Sequence, residues 1–213
     1  MSQVYLVSSN NLTVQKIAWF ARVSTTPIDK SMMDVLSRWS DKTEREKDEK
    51  LCKHLYTAGH WSVFEHVSLT YLLECSRACS LQLARHRHIS RTEMSQRYVK
   101  FDKVQSYELP VLTSVQEDTL ISCLSNAFKD YELLLNMGVS PEEARAVLPE
   151  ATTTRMFITL NLRTLLELTQ KRACDPRAQR EIRELVQEMW NDIPSEIKEI
   201  FRPELKWLDD ANE

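Results

Sequence analysis

The sequence predicts a helix-rich α+β fold: long helices around a central, mostly antiparallel sheet. Three observations carry this. Apolar residues recur at helical spacing along most of the chain. Strand-like stretches are few and do not alternate regularly with helices, as a doubly wound parallel sheet would require. The 213 residues contain two glycines, Gly59 and Gly138, so neither a dinucleotide fingerprint nor a P-loop can be present. The length suits one catalytic domain spanning 1–213, with a C-terminal helical extension over 186–213.

Each element has its own signal. The apolar run 4–7 predicts a first strand, and Val14, Ile17, Ala18 and Ala21 predict a helix over 12–22. A short helix is expected over 31–39. The mixed charges of 41–50 open a helix that ends near Gly59, a residue suited to the left-handed position past a helix end. Val67, Leu69, Tyr71, Leu73 and Cys75 alternate with mostly polar neighbours, predicting a half-buried strand over 67–75. A short helix follows over 78–86, and the polar, aperiodic stretch 87–94 reads as a loop. Ser114 with Glu117 reads as a capping box for a long helix ending at Gly138. Ser140-Pro141 starts another helix, which stops before Pro149. Residues 152–160 predict a strand, 161–171 a helix, 177–190 a further helix, and Pro194-Ser195 opens a last short one.

Composition excludes several function classes. The net charge of -3 argues against a general nucleic-acid binder, so any anion site must be a local cluster. No stretch reaches the roughly 18 apolar residues of a membrane helix, and the first residues show no signal-peptide pattern. These features point to a cytoplasmic protein. The five cysteines, Cys52, Cys75, Cys79, Cys123 and Cys174, match no disulfide framework and read as buried, reduced thiols.

Residues 85–97, RHRHISRTEMSQR, concentrate four arginines and two histidines around one acid, Glu93. The cluster has no lysine, and Ser90, Thr92 and Ser95 interleave neutral donors. Arginine without lysine favours planar, two-point recognition of phosphate or carboxylate over a solvated basic loop. A nucleic-acid site would need aromatic platforms, and the cluster has none before Tyr98. A zinc site could draw on Cys75, Cys79, His86 and His88, but it lacks a close cysteine pair and its histidines lie among arginines; no metal is expected.

The same residues resemble the signature of flavin-dependent thymidylate synthases: Arg85-His86-Arg87, seven residues, then Ser95. ARVS (21–24), GHWSVFEH (59–66), EEARAVLP (142–149), NLR (161–163), Arg172 and AQREIR (178–183) are similar to the family's other blocks, in order. The resemblance covers about residues 20–185. It implies an enzyme that converts dUMP to dTMP, with methylenetetrahydrofolate as carbon donor, FAD as hydride carrier and NADPH as reductant. It also implies a homotetramer with sites shared between subunits, acting on small molecules and not on nucleic acid or membranes.

The resemblance further implies residue roles. Gln82, Leu83, Ala84, Arg85, Glu93, Met94 and Ser95 would bind dUMP, together with Gln96, Arg97 and Arg145. Arg172 would touch the uracil edge and be the catalytic group; alone in the sequence it reads as a surface arginine at a helix end. Ser62, Glu65, Arg85, His86, Arg87 and Glu93 would hold FAD, with Asn161, Leu162, Arg163 and Glu167. Ser95 lacks the base and orienting group a serine nucleophile needs, so nucleotide binding is its expected role. Two positions depart from the family pattern. Thr92 stands where Asn is usual. Glu167 stands where His or Asn is usual, free to meet the adenine, face solvent or pair with an arginine.

Overall fold

The computed structural model describes residues 2–37, 45–101 and 113–201. Among them, four strands pair into one antiparallel sheet: β1 (Gln3–Asn10), β2 (Ser68–Ser76), β3 (Ile89–Glu93) and β4 (Thr153–Asn161), in the order β1-β2-β4-β3. The helices are α1 (Val14–Arg22), α2 (Met32–Ser37), α3 (Arg45–Thr57), α4 (Arg77–Leu83), α5 (Ser114–Asn136), α6 (Pro141–Ala144), α7 (Leu162–Leu168), α8 (Arg180–Asn191) and α9 (Ser195–Phe201). The helix-rich α+β class is as the sequence predicts. Of the helix expected over 31–39, residues 38 and 39 lie outside the described residues, as do 41–44 of the charge run and 202–213 of the C-terminal extension.

Strand parity sets what is buried. Leu69, Tyr71, Leu73 and Cys75 of β2, and Thr154, Met156, Ile158 and Leu160 of β4, are enclosed. On the other face, the Thr70 and Thr159 hydroxyls hydrogen-bond at 3.0 Å, and Arg155 pairs with Glu74. Both cross-strand pairs obey one register, because a slip of one residue would move every side chain to the wrong face.

Both glycines end helices. Gly59 (φ 78°) and Gly138 (φ 85°) are left-handed, and each makes the paired terminal hydrogen bonds of a Schellman stop. After α3, His60 N–H donates to Leu55 O and Gly59 N–H to Tyr56 O; after α5, Val139 N–H donates to Leu134 O and Gly138 N–H to Leu135 O.

Two expectations need correction. The expected loop 87–94 contains strand β3. It is an edge strand with only Ile89 and Glu93 half-buried, so no apolar alternation marks it. Its backbone ladder to β4 forms regardless, continuing in Met94 N–H donating to Arg155 O at 2.8 Å. The α5 capping box is Thr113 with Gln116, one residue before the expected Ser114 and Glu117. Thr113 accepts from the Gln116 amide, and the Gln116 side chain accepts from the Thr113 amide at 2.9 Å.

The chain divides into two compact units. The first comprises Met1–Val4, Leu72–Arg87 and Arg91–Ile158; the second comprises Tyr5–Tyr71, His88–Ser90 and Thr159–Glu213. The first unit buries Cys79, Leu83, Leu124, Phe128 and Tyr131. The second packs α1, α3, α7, α8 and α9 around an aromatic knot in which Phe201 lies 4.7 Å from Tyr56 and 5.3 Å from Phe64. Cys52, Cys75 and Cys79 are buried, but Cys174 is half-buried and Cys123 is exposed on α5, contrary to the expectation for all five.

Candidate functional site

In the first unit, α4 begins because Ser76 caps it, its hydroxyl accepting from the Cys79 amide at 3.1 Å. The RHR residues follow its C-terminal end, while Glu93 closes β3. The Glu93 carboxylate is the hub of this region. Its Oε1 accepts from Arg77 Nη1 at 2.7 Å, Ser80 Oγ at 2.8 Å and Thr154 Oγ1 at 3.0 Å. Arg91 Nη1 lies 3.6 Å from Oε2. Three donors on one oxygen fix the carboxylate; among the described residues Oε2 accepts no hydrogen bond and meets only the Arg91 guanidinium, at ion-pair distance.

The arginines of the cluster divide by partner. Arg91 is tied to Glu93, and Arg97 grips Glu142. The guanidiniums of Arg85 and Arg87 are exposed and carry no acid partner among the described residues. Ser95 is half-buried, its Oγ accepting from the Arg97 amide at 3.3 Å. Arg145 opens the 3-10 turn after α6 and donates Nε to Glu142 O at 3.1 Å. Gln82, His86, Met94 and Gln96 are half-buried and Ala84 is exposed, whereas Leu83 is enclosed and presents almost no surface.

In the second unit, β4 runs into α7 because Asn161 caps it, accepting from the Thr164 amide at 2.8 Å. Arg163 then sits on the open side of α7. Its Nη1 donates to Glu65 Oε1 at 2.5 Å, its Nε to Glu167 Oε1 at 3.1 Å, and its guanidinium lies 5.9 Å from the Trp61 ring centroid. These two carboxylates raise the arginine's already high pKa, Glu65 foremost. Glu167 thus pairs with an arginine, one of the alternatives the sequence left open. Ser62 and Glu65 are exposed in the turn before β2, and Leu162 is fully enclosed.

Arg172 lies in a π-helical turn, Thr169–Ala173, that extends α7. The Cys174 amide donates to Thr169 O at 3.0 Å, closing the wide turn. Thr169 and Ala173 face the core while Arg172 stays half-buried. Such turns are rare and gather at functional sites. The expected helix over 161–171 therefore changes pitch at Thr169.

Sequence reasoning missed Arg77, Ser80 and Thr154, which hold Glu93; Trp61, which underlies Arg163; and Glu142, on which Arg97 and Arg145 converge. One signal was available: a lone acid within a basic cluster implies donors aimed at it.

Known proteins resemble this chain over most of its length. The profile of the family described as "Thymidylate synthase complementing protein" matches residues 5–197. A flavin-dependent thymidylate synthase of Pyrococcus furiosus is 33% identical, covering 97% of this chain and 84% of its own. One from Halobacterium salinarum is 36% identical, covering 78% of this chain and 77% of its own. Among solved structures, a UMP/dUMP methylase from Streptomyces cacaoi, bound with 5-Br dUMP, has the same fold, with a TM-score of 0.78, 24% identity and 95% coverage of each chain.

Proposed function

The chain belongs to the flavin-dependent thymidylate synthase family, and from that premise we propose that it methylates dUMP reductively to dTMP. In this reading methylenetetrahydrofolate donates the carbon, FAD carries the hydride and NADPH is the reductant, in a cytoplasmic homotetramer with shared sites. Among the described residues no helix is long and apolar enough to cross a membrane.

The observation that carries the reading is the division of the arginines. Arg85 and Arg87, the arginines of the signature, are the ones in the cluster whose guanidiniums meet no acid among the described residues. Open guanidiniums fit anionic ligands such as a nucleotide and the flavin's diphosphate. Ser95, Arg97 and Arg145 would hold the dUMP phosphate, and Oε2 of Glu93 would accept from a ligand hydroxyl. Ser62, Asn161 and Arg163 would hold the flavin, with Glu65 and Glu167 orienting Arg163. When bound, the flavin supplies hydride chemistry that no side chain possesses. Arg172, unable to lose its proton, would stabilise negative charge developing on the uracil ring.

The test is a visible absorption spectrum. The protein is incubated with FAD, desalted and titrated with dUMP. A retained flavin band that shifts with nucleotide is expected; folded protein without retained flavin would overturn the proposal. Bleaching of the band by NADPH tests the reductant, and light scattering tests the tetramer.

A further inference from the structure

Glu142 has no role in the reading above, yet both arginines assigned to the phosphate converge on it. Arg97 grips its carboxylate edge-on, Nε to Oε1 at 2.8 Å and Nη2 to Oε2 at 3.1 Å. Arg145 holds its backbone carbonyl. The two-point grip is the one a guanidinium uses on a phosphate. The Arg97 and Glu142 side chains are 49% and 50% exposed, so a dissolved anion can reach them. Arg97 is otherwise steadied by its amide bond to Ser95 Oγ and by the Tyr98 ring, 5.6 Å from its guanidinium carbon.

We propose that Glu142 is an internal stand-in for the nucleotide's phosphate: its carboxylate holds Arg97 in phosphate-gripping form and gives way when a phosphomonoester arrives. This rests on Arg97 being a phosphate ligand. An exposed ion pair is weak, so the exchange is easy and the grip is already formed when the ligand arrives. A phosphate dianion outcompetes the single carboxylate charge. An uncharged nucleoside has nothing to offer Arg97 and leaves the pair closed. Glu142 therefore holds the grip preformed at a slight cost in nucleotide affinity, and leaves nucleoside affinity untouched.

The experiment is calorimetric titration of the FAD-loaded protein with dUMP and with deoxyuridine, for wild type, E142Q, R97A and the double variant. R97A should weaken dUMP binding roughly tenfold or more, as loss of a charge-assisted contact does. E142Q should tighten dUMP binding about two- to fivefold, the scale of an exposed pair. Deoxyuridine binding should not change, and the gain should vanish when Arg97 is absent. If R97A binds dUMP normally, the phosphate role of Arg97 itself fails. If R97A is weakened but E142Q does not tighten, or tightens deoxyuridine equally, or tightens without Arg97, the stand-in fails while the phosphate role survives.

Discussion

Replacing Thr154 with valine should loosen Glu93 without opening a cavity. Thr154 is fully enclosed, and its hydroxyl is one of three donors to Glu93 Oε1, at 3.0 Å. Valine keeps the shape and removes only the donor. A hydrogen bond to a charged acceptor contributes about 1.5–3 kcal/mol. Arg77 and Ser80 still hold the same oxygen, which places the loss near the lower end, about 1.5 kcal/mol. For a chain of this size that lowers the melting midpoint by roughly 3–6 °C. The freed carboxylate should also bind dUMP more weakly. The assay is thermal unfolding of the flavin-free protein, with a dUMP titration of the FAD-loaded protein, for T154V and T154S. The serine variant restores the hydroxyl and should recover dUMP affinity. A T154V midpoint within about 1 °C of wild type would refute the claim that this donor supports Glu93, as would equal dUMP affinity in all three proteins.

Gly138→Ala should cost about 1–2 kcal/mol through backbone strain alone, because an added Cβ meets nothing within 4 Å while φ is 85°; an unchanged urea midpoint would contradict this. Arg172→Ala should abolish most turnover yet leave the retained flavin near wild-type level, and equal loss of both would sink its role at the uracil edge. Ellman's reagent at pH 8 should label exposed Cys123 quickly and half-buried Cys174 slowly, sparing Cys52, Cys75 and Cys79 until the chain unfolds. Burial foremost, and Asp48 next, push the Cys52 thiol from 9.0 up to about 12; burial pushes Cys174 to about 12 as well. Both groups hold their protons more tightly when folded. The stability they contribute is therefore full below pH 9 and falls away as pH rises toward 12, and alkaline unfolding titrations should show that decline.

Much of the molecule was legible one-dimensionally, because the signals involved are local. Alternation placed β2 and β4, helical spacing placed α1 and α7, a start signal and Gly138 placed α5, Asp175-Pro176 set off α8, and two glycines marked two helix ends. Order of motifs along the chain, with RHR and Ser95 at their centre, carried the family. Strand β3 escaped because an edge strand with polar side chains bears no apolar period; only its pairing with β4 makes it a strand. The π-helical turn under Arg172 escaped for a related reason. Its spacing is close to that of an ordinary helix, and packing of Thr169 and Ala173 decides the wider pitch. The partners of the charged residues were invisible as well. Thr154 lies 61 positions from Glu93, and Glu65 lies 98 from Arg163. Residue types and their intervals thus determined the fold class, most elements and the family. Which arginines are spent on carboxylates and which stay open was decided by tertiary structure alone, because an ion pair depends on distance in space and no interval along the chain encodes it.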